Sequence, residues 1–367
     1  MKFSCINKKI KKRVAVLERM VFKTHTIMSL TGIEINVMEN QVIFSGTNLS
    51  AGLIITVPAR SEQTGVCVVP AGLFSQVIGS IPDESQLTME LIDNQLVITT
   101  TDSRISLHTF ESADYPQIPK TTGEEFIFNC ELLVQGLKSV SFAALVSDIK
   151  PELSSVYWYQ DSYHSIFVAT DAFRLAEKKI PYTKVIQHPG ALIPLKNIPD
   201  LVKLLSDSTG DIVCSITQSQ LSITHKDFFY TTRLTTGNYP AYGQIIPKTF
   251  TTTVTIDKDS LISVLRALGI FQDRFHQINL ITNYENQTIQ LSINHNEKGE
   301  FTTTINGTVT GTTNHEIVIN QKNINDVVGV ITESEIEIHI NESNKPIMIR
   351  GRDNLDFLYI MMPVNRL

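Results

Sequence analysis

The residue types most able to do chemistry in this 367-residue chain are nine histidines, four cysteines and 37 acidic side chains. Their spacing assembles no reaction centre. There is no HExxH zinc-protease pattern, no phosphate-binding loop ending in Gly-Lys-Ser/Thr, no GxGxxG after a strand and no GxSxG nucleophile elbow. Cys5, Cys67, Cys130 and Cys214 are far apart and form no CxxC pair. Neither a disulfide framework nor a zinc site is expected, and scattered reduced thiols fit a cytoplasmic protein. His295 and His315 stand in polar, Asn-rich stretches and read as loop residues. Asp171 sits in a motif-like segment, but no partner carboxylate or base lies at a readable spacing. It reads as a turn aspartate accepting local backbone N–H groups. The expectation is a non-enzymatic protein without catalytic residues, metal or cofactor.

Charge, by contrast, is segregated. The chain carries a formal −6. Residues 1–23 hold Lys2, Lys8, Lys9, Lys11, Lys12, Arg13, Arg19 and Lys23 against Glu18 alone, or +7, so the remainder sums to −13. At 100° per residue, Ile10, Val14, Leu17 and Met20/Val21 make one apolar stripe of a helix spanning about 7–22. Lys8, Lys12 and Arg19 fall opposite that stripe, with Lys9, Lys11 and Arg13 flanking it. Two readings stay open: a solvated lysine face, or a helix presented to phosphates, where lysine holds a backbone without reading bases. No apolar run approaches the roughly 18–20 residues that span a bilayer. Val14–Leu17 is cut short by Glu18-Arg19, so no signal-peptide core is expected.

These elements belong to a unit that occurs three times. Gln95-Leu96-Val97-Ile98-Thr99 returns as Gln220-Leu221-Ser222-Ile223-Thr224, an offset of 125 from Leu96 to Leu221, and Pro346-Ile347-Met348-Ile349 follows 126 further on, at Ile347. Val69-Pro70 matches Ile193-Pro194 and Ile319-Asn320, while Tyr115-Pro116 matches Tyr239-Pro240. Anchors agreeing on one period mark a chain built from three like units. Each begins with an amphipathic helix (7–22, 130–145, 258–271). A strand pair follows, such as 41–44 with 52–58 or 165–169 with 174–180. A second helix follows the Val-Pro anchor (70–80, 195–206, 321–330), and alternating strands such as 87–91 with 95–100 close the unit. Thr, Ile and Val dominate the strands, and the class is α+β. The domain boundaries are read as 1–121, 122–249 and 250–367.

Taken in order, several segments resemble the bacterial beta sliding clamp, the beta subunit of DNA polymerase III. They are Met1-Lys2-Phe3, Thr31–Ile35, Phe44–Asn48, Val168-Ala169-Thr170-Asp171-Ala172-Phe173-Arg174-Leu175-Ala176, Gly237–Pro240 through Ile246-Pro247, and the closing Met362-Pro363-Val364-Asn365-Arg366-Leu367. The resemblance covers the full length. Lys345–Arg350 and Gly237–Pro240 are closer to the Gram-positive branch. What the resemblance implies is three clamp domains per chain and a head-to-tail homodimer closing a six-domain ring around double-stranded DNA. Helices would line the hole and hold DNA independently of sequence through Lys8, Lys9, Lys12, Arg13, Arg19, Lys23, Lys196 and Lys203. It implies a chain–chain contact in which the edge strand Arg104–His108, with Ile105 and Leu107, meets Ile270 and Phe271 of the other copy. Without the family, Ile105 and Leu107 read as plain core residues.

The resemblance further implies a cleft for short hydrophobic peptides from the DNA polymerase III alpha subunit, the clamp loader complex, other polymerases and repair proteins. Carried over by position, its lining is Leu153, Thr170, Ala172, Phe173, Arg174, Leu175, Pro240, Ile245, Pro346, Ile360, Met362, Pro363 and Val364. Apolar walls would take Leu or Phe anchors, with Arg174 and Thr170 supplying polar orientation. The family's Gly-His before the arginine is Ala172-Phe173 here, a second arginine is Gln244, the first-domain Leu-Pro-Ile-Leu is Ile27-Met28-Ser29-Leu30, and Asn365 reads as an insertion. These departures point to a divergent or secondary clamp copy. The expected function is a cytoplasmic, nucleoid-associated processivity factor. The alternative is a self-associating module that kept the fold without DNA loading.

Overall fold

The computed structural model describes residues 1–120, 123–182, 190–311 and 313–364. Contacts divide the chain into two units: Met1–Val134 with Ile186–Thr236, and Gln135–Val185 with Gly237–Leu367. The central repeat is therefore shared, half in each unit.

The six expected helices are present as α1 (Lys11–Met20), α2 (Ala71–Ser80), α3 (Cys130–Val140), α4 (Ile198–Ser206), α5 (Lys258–Ile270) and α6 (Gln321–Val328). The first is shorter than its periodicity suggests. Asn7–Lys9 form a separate 3-10 turn because the buried Asn7 side chain is drawn to the end of α2, donating Nδ2 to Ile78 O at 3.1 Å and Ile81 O at 2.8 Å. It satisfies carbonyls that a helix C-terminus leaves without partners. Likewise α3 stops at Val140 and a 3-10 turn, Ser141–Ala143, replaces its expected last turn.

In the first unit an antiparallel sheet runs Arg60–Gln63, Lys2–Ile6, Gln86–Ile92, Gln95–Thr99, Arg104–His108, the last at an edge. A second sheet runs Glu125–Asn129, Asp211–Ile216, Gln220–His225, Phe228–Arg233, Ala51–Pro58, Gln41–Thr47, Gly32–Val37, Gly65–Pro70. Its middle joins repeats: Phe228–Thr232 pairs with Ala51–Ile55, so the first repeat's hairpin is extended by the second repeat's closing strand. Ile10, Val14, Leu17 and Met20 of the α1 region are all buried, as their spacing predicts. Leu17 seats over Gly46, where any Cβ would stand 2.9 Å from it.

The second unit repeats the device. Its larger sheet includes, in order, Ser155–Gln160, His164–Thr170, Arg174–Pro181, Phe357–Met361, Ile347–Gly351, Glu335–Ile340, Thr252–Asp257 and Thr308–Gly311. Here Arg174–Lys178 pairs with Phe357–Met361, the third repeat's closing strand. A four-stranded sheet runs Gly299–Asn306, Thr288–His295, Gln277–Asn283, Glu316–Asn320. By order in the repeat, 299–306 corresponds to 51–58 and 174–181. It is an edge, with no strand on its outer side among the described residues. The core beneath the larger sheet is aromatic: Trp158 stacks on Phe167 at 5.4 Å, and Gly136 of α3 lets that ring lie against the helix.

Candidate functional site

Two sets of side chains are candidates for binding, one in each unit. In the first unit, Lys8, Lys9, Lys12, Arg19 and Lys23 are exposed along the α1 region, Lys196 in the 3-10 turn that leads into α4, and Lys203 on α4. Arg19 Nε reaches Asp200 Oδ1 of α4 at 2.7 Å, linking the two helices. Lys8 pairs with Glu84 at 3.1 Å, Lys203 with Asp207 at 3.4 Å, and Lys23 with Glu18. Such exposed pairs contribute about 0–1 kcal/mol and give way readily to another anion. Lys9, Lys12 and Lys196 make no ion pair among the described residues.

Arg13 corrects the sequence reading. Its side chain turns to the 225–228 strand turn, with Nη2 2.7 Å from Asp227 Oδ2, and only 27% of it is exposed. It braces that turn rather than facing outward with its neighbours. Lys11 has an analogous role at the end of α2, donating to Ile81 O at 3.0 Å and Asp83 Oδ1 at 2.9 Å. That hydrogen bond and charge hold the Asp83 carboxyl below its usual range.

In the second unit, four strand ends converge. Register sets Thr170 opposite Leu175, Leu175 opposite Ile360, Arg174 opposite Met361 and Ile347 opposite Met361. Met362 N donates to Phe173 O at 2.9 Å, and Val364 N to Val318 O at 2.7 Å. The 171–173 turn, Pro346 and the 362–364 segment therefore meet at one end of the sheet. Asp171 is the turn residue its sequence suggests: Oδ1 accepts from Phe173 N and Arg174 N, both at 2.9 Å. Thr170 Oγ1 donates to Arg174 O at 2.6 Å. Pro240 and Ile245 belong to the 237–246 segment, which lays Tyr239 and Tyr242 over Ile166, Val168 and Leu175.

Strand alternation divides the expected lining between two faces. Thr170, Leu175, Ile360 and Met362 lie on the face covered by the tyrosines. Arg174 points to the opposite, helix-bearing face. Its Nε binds Asp171 at 2.9 Å, Nη1 binds Asp326 of α6 at 2.6 Å, and Nη2 donates to Phe142 O at 2.7 Å. Arg174 is thus a brace between sheet and helices, and Thr170 is committed to its own turn. Neither supplies the free polar orientation that the sequence reading assigned to them. Leu153, Leu175 and Ile360 are buried, whereas Phe173 (72%), Ile245 (53%) and Met362 (39%) are the exposed apolar surface. Asn365, Arg366 and Leu367 lie outside the described residues.

Sequence reasoning missed the aromatic wall. Tyr157 stacks on Tyr159 at 4.9 Å and on Tyr239 at 5.0 Å, and Tyr159 and Tyr242 share a hydroxyl contact of 2.7 Å. Tyr242 also donates to the buried Glu177. Burial and then that carboxylate push its hydroxyl far above its ordinary range. Tyr157 and Tyr159 flank the core Trp158, a period-two pattern that could have revealed them.

The expected chain–chain residues also have definite surroundings. Leu107 is buried at 3% in the first unit's own core, so the outward part of that strand is backbone together with Arg104, Ser106 and His108. Ile105 is partly exposed. In the second unit Ile270 is 70% exposed, while Phe271 stacks on Phe301 at 5.7 Å.

Ala172 adopts φ +77°, a conformation that L side chains resist. Replacing Ala172 with Gly is expected to stabilise the protein by about 1 kcal/mol, since the left-handed region costs a Cβ-bearing residue about 1–2 kcal/mol and Gly loses part of that gain in chain entropy. Denaturant unfolding of the two proteins measures it; an unchanged or lowered midpoint contradicts the strain.

Known proteins share this architecture throughout. The family models for the DNA polymerase III beta subunit match residues 1–119 (N-terminal domain), 128–241 (central domain) and 243–365 (C-terminal domain). The beta sliding clamp of Staphylococcus epidermidis is 24% identical over 351 residues, 92% of each chain. That of Synechococcus elongatus is 22% identical over 376 residues, 99% of each. The crystal structure of a Pseudomonas aeruginosa sliding clamp superposes with a TM-score of 0.94 at 23% identity, and a Bacillus subtilis sliding clamp with 0.92 at 22%, each covering 100% of both chains. With all three of its repeats matched, the chain belongs to the DNA polymerase III beta subunit family, the beta sliding clamps.

Proposed function

We propose that two copies of this sliding clamp close head to tail into a six-domain ring on duplex DNA and tether replication proteins there, without catalysing a reaction. The observation that carries this is a pair of strand edges. The 51–58 and 174–181 strands are each extended by the next repeat's closing strand. The matching 299–306 strand has no such neighbour among the described residues, and the closing strand of the first repeat, Arg104–His108, is likewise an edge. Exposed edges of this kind are normally paired or blunted, and head-to-tail pairing of two copies would satisfy both.

Side chains support the same contact. By register Ile105 corresponds to Tyr230 and Tyr359, which are fully buried, yet Ile105 is not. Phe142, just after α3, meets Tyr359 with ring centroids 5.5 Å apart. Ile270 and Phe271 hold the corresponding place at the end of α5. Ile105 of one copy against Ile270 and Phe271 of the other would reproduce the Phe142–Tyr359 contact. Leu107 would contribute backbone only. The domain boundaries that best fit three such repeats are 1–121, 122–249 and 250–367.

Within such a ring, Lys8, Lys9, Lys12, Arg19, Lys23, Lys196 and Lys203 would hold phosphates, and a chain of net charge −6 would bind DNA weakly otherwise. The cleft around Phe173, Ile245, Met362, Pro363 and Val364 would take apolar peptide ends from the DNA polymerase III alpha subunit, the clamp loader and other clients. The cytoplasm, at the nucleoid, is the compartment this role requires.

The dimer is expected to fail in Ile270→Asp, because closure would bury an unpaired charge. Analytical ultracentrifugation should give about twice 41.1 kDa for the native chain and 41.1 kDa for the variant; a variant that stays dimeric excludes this contact. For the function itself, the protein loaded onto nicked circular DNA by a clamp loader should survive a high-salt wash and be released on linearisation. Equal retention on linear and circular DNA would exclude topological binding. For the cleft, deleting residues 362–367 should abolish the rise in anisotropy that the protein gives a labelled Leu-Phe-ended peptide, which otherwise binds at about micromolar Kd, while the dimer persists. Undiminished binding would exclude this cleft.

A further inference from the structure

The turn that frames the second unit's cleft recurs in the first unit, 123 residues earlier, from Thr170 to Thr47. Thr47 Oγ1 donates to Ala51 O at 2.8 Å and accepts from Leu49 N at 3.0 Å. Thr170 Oγ1 does the same with Arg174 O at 2.6 Å and Ala172 N at 3.2 Å. Asn48 Oδ1 accepts from Ser50 N and Ala51 N at 3.0 and 2.8 Å, as Asp171 does from Phe173 and Arg174. Leu49 has φ +64°, matching the +77° of Ala172. Arg233 N donates to Ser50 O at 2.8 Å, where Met362 N donates to Phe173 O at 2.9 Å. Even the covering segment matches, Tyr115-Pro116 for Tyr239-Pro240.

The frame is the same but its lining differs. A cavity of about 220 Å³ opens beside the 48–50 turn. By register, Gly52 stands for Leu175, Thr231 for Ile360, Arg233 for Met362, and Gln220, opposite Arg233, for Pro346. Hydroxyl, amide and guanidinium replace an apolar floor. Gln220 Nε2 donates to Thr231 Oγ1 at 2.8 Å, which orders the floor. Arg233 is exposed and makes no ion pair among the described residues. Ile118 closes over Gly52, where a Cβ would meet it at 2.8 Å, and Leu49 supplies an apolar rim, 47% exposed.

We infer that this first-unit cleft is a second peptide-docking site, selective for a short extended segment that carries an acidic side chain. A carboxylate meets the two-pronged donor geometry of Arg233. The cavity lies below the roughly 300–1,000 Å³ of drug-sized pockets, so it admits one polar side chain rather than a pair of large anchors. The chain's net charge of −6 repels acidic peptides in general, so a preference for them has to arise locally. The two clefts would then take different parts of a client, or different clients, through one repeated backbone frame.

Disulfide tethering tests this without DNA, ring closure or a known client. All four native cysteines are buried, so Leu49→Cys provides the reactive thiol at the rim. The probes are the peptides Cys-Gly-Glu-Ser and Cys-Gly-Gln-Ser, capped at both ends and each supplied as its mixed disulfide with mercaptoethanol, so that the Cys thiolate introduced at 49 attacks the peptide sulfur and releases mercaptoethanol; the two are compared at equal free mercaptoethanol. Intact mass should show the Glu peptide retained roughly fivefold over the Gln peptide, the size of one favourable exposed ion pair. The preference should vanish with Arg233→Gln and return in part with Arg233→Lys. Ala172→Cys, at the matched rim beside Met362, should show no Glu preference. Equal retention of the two peptides at Leu49→Cys overturns the proposal. So does a preference that survives Arg233→Gln, or one equally present at Ala172→Cys.

Discussion

Antiparallel pairing between repeats is the interaction on which the rest of the molecule depends. A hairpin strand offers an unpaired edge, and the chain satisfies it twice with the closing strand of the following repeat, 51–58 with 228–233 and 174–181 with 357–361. The pairing fuses sheets across repeat boundaries and divides the central repeat between two units. It also makes the clefts: each forms where a Thr-Asx turn meets the end of a closing strand, at Arg233 in one case and Met362 in the other.

Because pairing fixes register, it fixes which side chains share a face. Thr170, Leu175 and Ile360 are one row across three strands, and Arg174 with Met361 is the next row, facing the helices. Arg174 ties the turn to Asp326 and the carbonyl of Phe142. The exposed apolar surface is left to Phe173, Ile245 and Met362, with a tyrosine wall behind. Ala172 and Phe173 stand exposed on that turn, and Asp171 with Arg174 braces it from behind.

Much of this was legible in the sequence, because periodicity is a direct print of burial. The α1 stripe of Ile10, Val14, Leu17 and Met20 and the three-repeat order follow from spacing alone. Asp171 as a turn acceptor follows from its residue type and surroundings. What spacing could not give is where a long side chain ends. Arg13 and Lys11 lie on α1 beside Lys12 and Arg19, yet they bind Asp227 and the α2 terminus. Leu107 belongs to an edge strand, and its alternation turns it inward. The tyrosine wall depends on a segment some 80 residues away from the strands it covers, so its assembly is a tertiary event.

Strands 104–108 and 299–306, the closing strand and the hairpin strand left without an inter-repeat partner among the described residues, are proposed to pair between copies. Hydrogen–deuterium exchange, followed by mass spectrometry on the native protein well above its dimer dissociation constant, reads those edges directly. The outward amides of 104–108 and of 299–306 should exchange as slowly as those of 51–58 and 174–181, and both should accelerate together on dilution to monomer. Fast exchange at both segments in the concentrated native protein, unchanged on dilution, would contradict head-to-tail closure.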